Sequence, residues 1–535
     1  MLASTVVVER ARDFPLLTFL IVLPFVGAIA TMLTPKHRPE WAKAVAFLVS
    51  ATTLGMSLWM LAAFDKATHG YQFDVSHNWI GNLGVRFSLG IDGISLFMVV
   101  LTAVLFPIGL LASVNEPKFK EFATWMLMLQ ASVVGVFAAL DLVVFFIFFE
   151  LVLVPMYFLI AGWGHGNRAY AATKFFLYTM AGSAFLFVGI LTVAYLYTKS
   201  GHALTFDVGN ITEWISTDGA ISTRTARLLF LAFAVSFAVK VPLFPLHTWL
   251  PDAHTEAPTA GSVVLAGVLL KMGTYGFLRF AIPMFPAAAH YFAPVLLTLS
   301  VVGIVYGAIV ATMQPDLKRL IAYSSVAHLG FVVMGTFALT TPAILGGLFT
   351  MLSHGLTTGA LFLLVGMLYD RRHTRLIADF GGLWKSIPVL SALFLVATFA
   401  SIGLPGFSGF VGEFMSLLGT YVTRPWWAVV ATSGVILAAV YLLWAFQRSF
   451  TGEPTGENVG LRDISLRELV CVGPLLGLSL FLGFYPQPVL DRMKVTVEDF
   501  MGHLENSTGY IEPESPNPEP VDVHNDSPNE EAASH

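Results

Sequence analysis

Apolar runs of about twenty residues recur along almost the whole of this sequence, and that recurrence constrains the fold before any motif does. A helix needs about 20 mostly apolar residues to cross the hydrocarbon core of a bilayer. About fourteen such runs are legible, near 14–33, 41–63, 91–114, 122–140, 142–161, 171–198, 227–250, 257–282, 291–313, 320–340, 343–369, 387–420, 426–447 and 468–486. The runs are continuous rather than alternating, which argues for helices and against a β-barrel. Composition agrees: 56% of the 535 residues are hydrophobic and 12% are charged, where soluble domains average about 25% charged. So little charge cannot clothe a water-soluble protein of this length. A net charge of −5 offers no basic face for nucleic acid. The lone Cys471 excludes an internal disulfide, a Cys-rich zinc site and a Cys-ligated iron–sulfur cluster.

The expected fold is therefore an all-α polytopic membrane protein. The first run is long, follows Glu9 and Asp13, and lacks a small-residue cleavage site, so it reads as a span and not a cleaved leader. Basic residues favour the loops after odd-numbered spans, such as Lys36, Arg38 and Lys43, or Arg371, Arg372 and Arg375. Under the positive-inside rule those loops are cytoplasmic and both termini lie outside. Two loops on the outer side are long, near 64–90 and 199–226, and the Pro-, Glu-, Asp- and Asn-rich segment from Glu512 reads as a disordered acidic tail.

Two spans are interrupted. The seventh contains Lys240-Val241-Pro242-Leu243-Phe244-Pro245, the twelfth Gly403-Leu404-Pro405-Gly406-Phe407-Ser408-Gly409. Proline removes a backbone donor and clashes with the preceding turn, and broken helices in transporters line polar cavities. The breaks lie five spans apart. Spans 4–8 and 9–13 thus form two groups, each broken in its fourth helix, and an odd period inverts one group relative to the other. The expected organisation is spans 1–3 in residues 1–115, a first repeat in 116–285, a second in 286–450, a last span and flank in 451–511, and the tail in 512–535.

Ionisable groups inside apolar runs carry the chemistry, because each costs roughly 2.5–3.5 kcal/mol at a helix centre on insertion scales. Glu150 follows Phe145-Phe146-Ile147-Phe148-Phe149. Lys240 borders the seventh-span break. Lys271 lies within Val268-Leu269-Leu270-Lys271-Met272, and Glu413 follows the twelfth-span break. Snorkelling or a structural ion pair is the plainer reading for each. It suits a lysine at a helix end better than a glutamate behind five apolar residues. His328 and His354 also fall inside spans. Each is either a neutral, hydrogen-bonded core imidazole or a proton relay that titrates near neutral pH. Burial disfavours a charged lysine and a neighbouring carboxylate favours it, so a line of such groups passes protons as its ion pairs open and close.

Other features carry less. Gly162-Trp163-Gly164-His165-Gly166 lacks the strand–turn–helix context of a nucleotide loop. His247, Asp252, His254 and Glu256 gather in one loop without metal-site spacing. Gly303 and Gly307 suit helix packing. No Walker, flavin or nicotinamide fingerprint is present.

The stretch Lys240-Val241-Pro242-Leu243-Phe244-Pro245-Leu246-His247-Thr248-Trp249-Leu250-Pro251-Asp252-Ala253-His254, then Glu256-Ala257-Pro258 and Val268-Leu269-Leu270-Lys271-Met272-Gly273, resembles the antiporter-like membrane subunits of respiratory complex I and of multi-subunit cation/proton antiporters. The resemblance spans roughly residues 90–450. Two features draw it towards the subunit M (chain 4) branch of NADH–quinone oxidoreductases: Phe149-Glu150-Leu151-Val152-Leu153-Val154-Pro155-Met156-Tyr157 in the fifth span, and glutamate at 413 where sister subunits carry lysine. The resemblance implies that Glu150 and Lys240 form a tuned ion pair, that Lys271 is the central carrier, and that His328 and His354 bridge to Glu413. It implies proton translocation in a bacterial inner membrane, coupled to electron transfer from NADH to quinone in partner subunits. It implies no redox cofactor in this chain, FMN and iron–sulfur clusters in partner subunits, and two flanking sister subunits. The alternative is a subunit of a Na+/H+ antiporter or of a membrane-bound hydrogenase-type complex.

Overall fold

A computed structural model describes residues 14–217 and 219–513. Glu9, Asp13 and the acidic segment from 514 lie outside them. The chain opens with the antiparallel pair α1 (Leu16–Leu33) and α2 (Pro39–Ala63). A β-hairpin follows, β1 (Gln72–Ile80) and β2 (Val85–Ile91), in the first long loop. Gly84, in the left-handed region at φ 65°, closes the turn between them.

The next four helices are α3 (Gly93–Ala112), α4 (Phe119–Ala138), α5 (Leu142–Trp163) and α6 (Arg168–Lys199). Short polar side chains start several helices by accepting the orphan amides of the first turn. Asp92 caps α3, accepting from Ile94 and Ser95, and Asp141 caps α5 in the same way. The second long loop holds a short surface helix, α7 (Val208–Ile215), again capped by an aspartate, Asp207.

The seventh apolar run is two helices. α8 (Thr223–Lys240) stops at the proline-rich turn, and α9 (Trp249–Glu256) resumes beyond it. The Trp249 indole N–H donates to the Val239 carbonyl at 2.9 Å, satisfying a backbone oxygen that the break leaves without a helical partner. α10 (Thr259–Met284) is entirely buried and contains two wide π turns, Leu265–Leu269 and Phe277–Ala281. Then come α11 (Pro286–Thr312), α12 (Leu317–Phe337) and the 32-residue α13 (Thr341–Arg372).

The twelfth run is likewise split, into α14 (Pro388–Ser401) and α15 (Ser408–Thr423). Gly403 and Gly406, at φ 74° and 100°, supply the left-handed turns between them. α16 (Pro425–Phe450) and α17 (Leu466–Phe484) complete the bundle, and α18 (Gln487–Thr508) lies across its end.

Twelve of these helices are long and apolar enough to cross a membrane. The other two of the fourteen runs read from the sequence are the broken pairs α8/α9 and α14/α15. The most buried helices are α10 and α13, at the centre, with α12 and α4 next. Apolar residues on α1, α6 and α16 are exposed, including Leu33, Val188 and Ile436, as expected of a surface that meets lipid or neighbouring subunits.

Three features were not read from the sequence. The hairpin and α7 occupy loops whose short amphipathic segments give weaker patterns than the spans. α18 is mixed polar and apolar, with Met493, Val497 and Leu504 buried against the bundle. Asp252, His254 and Glu256 sit on a helix and not in a loop, and His254 is fully buried.

A buried line of titratable side chains

Each broken span brings an ionisable side chain to the interior. Lys240 is the last residue of α8 and only 2% exposed. Its ammonium lies 4.8 Å from the Phe149 ring centroid and 5.9 Å from that of Phe175, with no hydrogen-bond partner. Glu150, on α5 beside Phe149, is partly buried, and its Oε1 is sealed from solvent and unpartnered. Ser183 on α6 and Lys240 are the polar groups that act on its carboxylate. No hydrogen bond or salt bridge joins the two groups.

α8 and α10 touch closely beyond this pair. A Cβ at Gly273 would lie 2.6 Å from the Phe237 carbonyl oxygen, so only glycine lets the two helices meet there. Two residues earlier, Lys271 is fully buried on the turn after the first π segment. Its Nζ donates to the Ala266 carbonyl within the π turn and lies within hydrogen-bond distance of His354 Nδ1, at 2.8 Å. His354 Nε2 is buried and has no partner.

The line continues across α13 to α12. The rings of His354 and His328 are 5.9 Å apart between centroids. His328 Nδ1 meets Glu413 Oε1 at 2.6 Å, with both side chains under 10% exposed. The Tyr441 hydroxyl approaches His328 Nε2 at 3.5 Å. Lys271, His354, His328 and Glu413 thus form one run of neighbours, each from a different helix. Glu150 and Lys240 are not in direct contact with this run.

Sequence reasoning missed several members of this surround. Tyr441 is fully buried beside His328. Ser408, the first residue after the second break, shares hydroxyl contacts with Ser353 (2.7 Å) and Ser479 (2.8 Å). His254, noted in the sequence only as one of a group without metal-site spacing, stacks on Phe362 at 4.8 Å, and neither ring nitrogen has a partner. A buried hydroxyl or imidazole leaves little trace in an apolar run, whereas a lysine or glutamate interrupts it visibly.

A polar vestibule opens beside α9. The buried Lys318 ammonium donates to the Ala257 carbonyl, and the Arg375 guanidinium donates to the Thr255 carbonyl at 2.5 Å. These cations sit at the negative end of α9, where the helix dipole favours them. Nearby lies a cavity of about 680 Å³ lined by Glu116, His165, Asp370, Arg371, Arg467 and Glu468. Burial, then the Asp370 carboxylate, raises the pKa of Glu116 above the ordinary carboxylate range. Burial, then Lys318, Arg375 and Arg168, holds the His165 imidazole below its usual value. The His165 amide donates to the Glu256 carbonyl at 2.8 Å, tying the vestibule to α9.

A second buried pair lies apart from the line. Arg279 Nη2 meets Asp92 Oδ1 at 2.5 Å, and Arg279 also reaches Tyr71 at 3.1 Å and Tyr275 at 3.3 Å. It joins the end of α10 to the start of α3 near the hairpin. Among the described residues no group of three or more His, Cys, Asp or Glu is placed to hold a metal.

Two helices broken in the same relative position, with lysine, histidine and glutamate lined up between them, define an antiporter-like membrane subunit. The family described as NADH:quinone oxidoreductase/Mrp antiporter, TM, matches residues 139–438. The NADH-quinone oxidoreductase subunit M of Rhodobacter capsulatus is 48% identical over 481 residues, covering 88% of this chain and 92% of that one. A chain of respiratory complex I from Thermus thermophilus superposes with a TM-score of 0.80 at 32% identity, covering 91% of this chain and 99% of its own length. A chain of the Mrp complex from Dietzia sp. DQ12-45-1b shares the fold, with a TM-score of 0.79 at 21% identity over 92% of this chain and 99% of that one. The chain belongs to the subunit M family of NADH-quinone oxidoreductases.

Proposed function

We propose that this chain is a proton-translocating membrane subunit of a bacterial NADH–quinone oxidoreductase and that it carries protons along the line from Glu150 to Glu413. The observation that supports this most is the run of direct contacts Lys271–His354 and His328–Glu413 inside an otherwise apolar interior. Isolated charges are costly there, and a connected set is suited to exchanging protons.

Each group has a distinct task in this reading. The Glu150 carboxylate biases the charge on Lys240: when the two approach, Lys240 holds its proton, and when they part, it releases one. Lys271 receives that proton. Its ammonium stands 2.8 Å from His354 Nδ1, and transfer there leaves a neutral amine held by the Ala266 carbonyl. His354 then gives up the Nε2 proton. The 5.9 Å between the two rings suits one bridging water. His328 hands a proton to Glu413 along their 2.6 Å contact. The serine hydroxyls at 353, 408 and 479 stand beside the exit from the second break, and the Glu116–His165 vestibule supplies protons from the other side.

The chain itself carries out no redox chemistry. FMN and iron–sulfur clusters reside in partner subunits, NADH and quinone are substrates of the whole complex, and sister antiporter-like subunits flank this one. The vestibule side is cytoplasmic, and both termini lie on the hairpin side. Residues 116–285 and 286–450 are the two inverted repeats.

Purifying the assembly through an affinity tag on this chain tests the reading. The expected complex shows flavin and iron–sulfur absorbance and oxidises NADH with quinone. A stable assembly that exchanges Na+ for H+ and lacks both chromophores would overturn it in favour of an antiporter.

A further inference from the structure

A crevice of about 300 Å³ opens on the bundle surface between α2, α3, α13, α17 and α18. Its walls include Leu58, Val100, Val104, Leu356 and Phe481, and Leu58, Leu478 and Phe481 are exposed at its opening. The lining on α3 runs from Phe97 to Val104, beginning four residues after the helix starts at Gly93. At 1.5 Å per residue it ends about 16 Å along the helix from its start, roughly half the thickness of a 30 Å hydrocarbon core. The crevice thus has the depth of a single leaflet, on the hairpin side.

One cation stands among its lining residues. Arg492 on α18 is the only charged residue there. Its Nη1 is used locally, donating to the Pro488 carbonyl at 2.8 Å, while its Nε is sealed from solvent without a partner. Asp491 next to it is engaged by Lys66 at 2.9 Å. Among the described residues no carboxylate pairs with the Arg492 guanidinium.

We propose that this crevice binds one phospholipid, one of its two acyl chains lying along Val100, Val104 and Leu356 and its phosphate on Arg492. An apolar slot at membrane depth takes hydrocarbon and not water, and a guanidinium beside it matches the phosphate that every phospholipid carries at that level. A neighbouring membrane-crossing helix fits less well, because it would need a groove running the full thickness. Leu352 and Leu356 lie two residues either side of His354, so on a helix they face away from it. The bound chain therefore backs the turn of α13 that carries His354.

The test is the phospholipid retained by the detergent-purified complex, quantified by mass spectrometry. The parent should keep a phospholipid through washing that the crevice-filling Leu478→Trp complex lacks. Arg492→Gln should lower its retention about tenfold, the worth of one charge-assisted hydrogen bond. Leu478→Ala, which leaves the slot open, should retain it. Equal retention in the parent and Arg492→Gln would overturn the proposal, even if Leu478→Trp failed to assemble. So would a photoreactive residue at 478 that captured a neighbouring subunit in place of lipid.

Discussion

Replacing Glu413 by glutamine separates the two things its carboxylate does. The amide oxygen can still accept from His328 Nδ1, so packing around the 2.6 Å contact is kept. What disappears is a group able to take up a proton. The neutral bond is weaker than the charge-assisted one by about 1–2 kcal/mol, too little to unfold a bundle this large. Removing a proton-transfer group costs typically 10²–10⁴-fold, so flux through this chain should fall about a hundredfold. The complex reports that as slower NADH oxidation or as fewer protons taken up per NADH in inverted vesicles. Glu413→Asp shortens the side chain by one carbon, about 1.5 Å. It stretches the contact to about 4 Å and should give an intermediate rate through a bridging water. Glu413→Ala leaves His328 Nδ1 unsatisfied at a cost of about 1–3 kcal/mol and should also lower the assembled amount. The reasoning is refuted if the glutamine complex assembles at the parental level and acidifies vesicles at the parental rate.

Three further outcomes are expected. Glu150→Ala should abolish or strongly reduce NADH-driven proton uptake while Glu150→Asp retains much of it; equal rates in the alanine and parent complexes would remove Glu150 from the path. At the other end of the chain, Glu512 accepts the Thr341 amide at 2.6 Å and the Thr341 hydroxyl at 2.7 Å, at the start of the helix that carries His354. Glu512→Ala should destabilise the complex by about 1–3 kcal/mol, read as a lower thermal midpoint. Truncation after Pro513 should leave both midpoint and pumping unchanged, and a loss on that truncation would count against this assignment.

Glu512 also marks where reading the sequence fell short. Composition assigns it to an acidic tail, because nothing local distinguishes a carboxylate that caps a distant helix from one in water. The spans were legible since membrane crossing demands long apolar runs, and the two breaks were legible since proline and glycine force them. Lys240, Lys271 and Glu413 were visible as charges where charge is costly, and the structure brings Lys271 and Glu413 into one line with His354 and His328. The contacts themselves were not readable. The Lys271–His354 pair joins residues 83 apart and the His328–Glu413 pair residues 85 apart, and only packing decides such partners. Tyr441 and the serine trio were hidden because hydroxyls are common in buried helices.

The π turn at Leu265–Leu269 has a consequence for how this chain tolerates change. In it the Leu270 amide reaches back five residues to the Leu265 carbonyl, which accommodates one more residue than an α turn. Swapping one aliphatic side chain for another there alters little. Deleting a single residue would close it to an α turn and leave the helix beyond in register, whereas inserting one would turn everything beyond by about 100°, swinging Lys271 off His354. That stretch is expected to bear a one-residue deletion better than an insertion, and nothing larger than glycine at Gly267, where a Cβ would lie 2.2 Å from Leu105 Cδ1, a pattern that an insertion and deletion scan scored by growth on respiratory substrates would reveal.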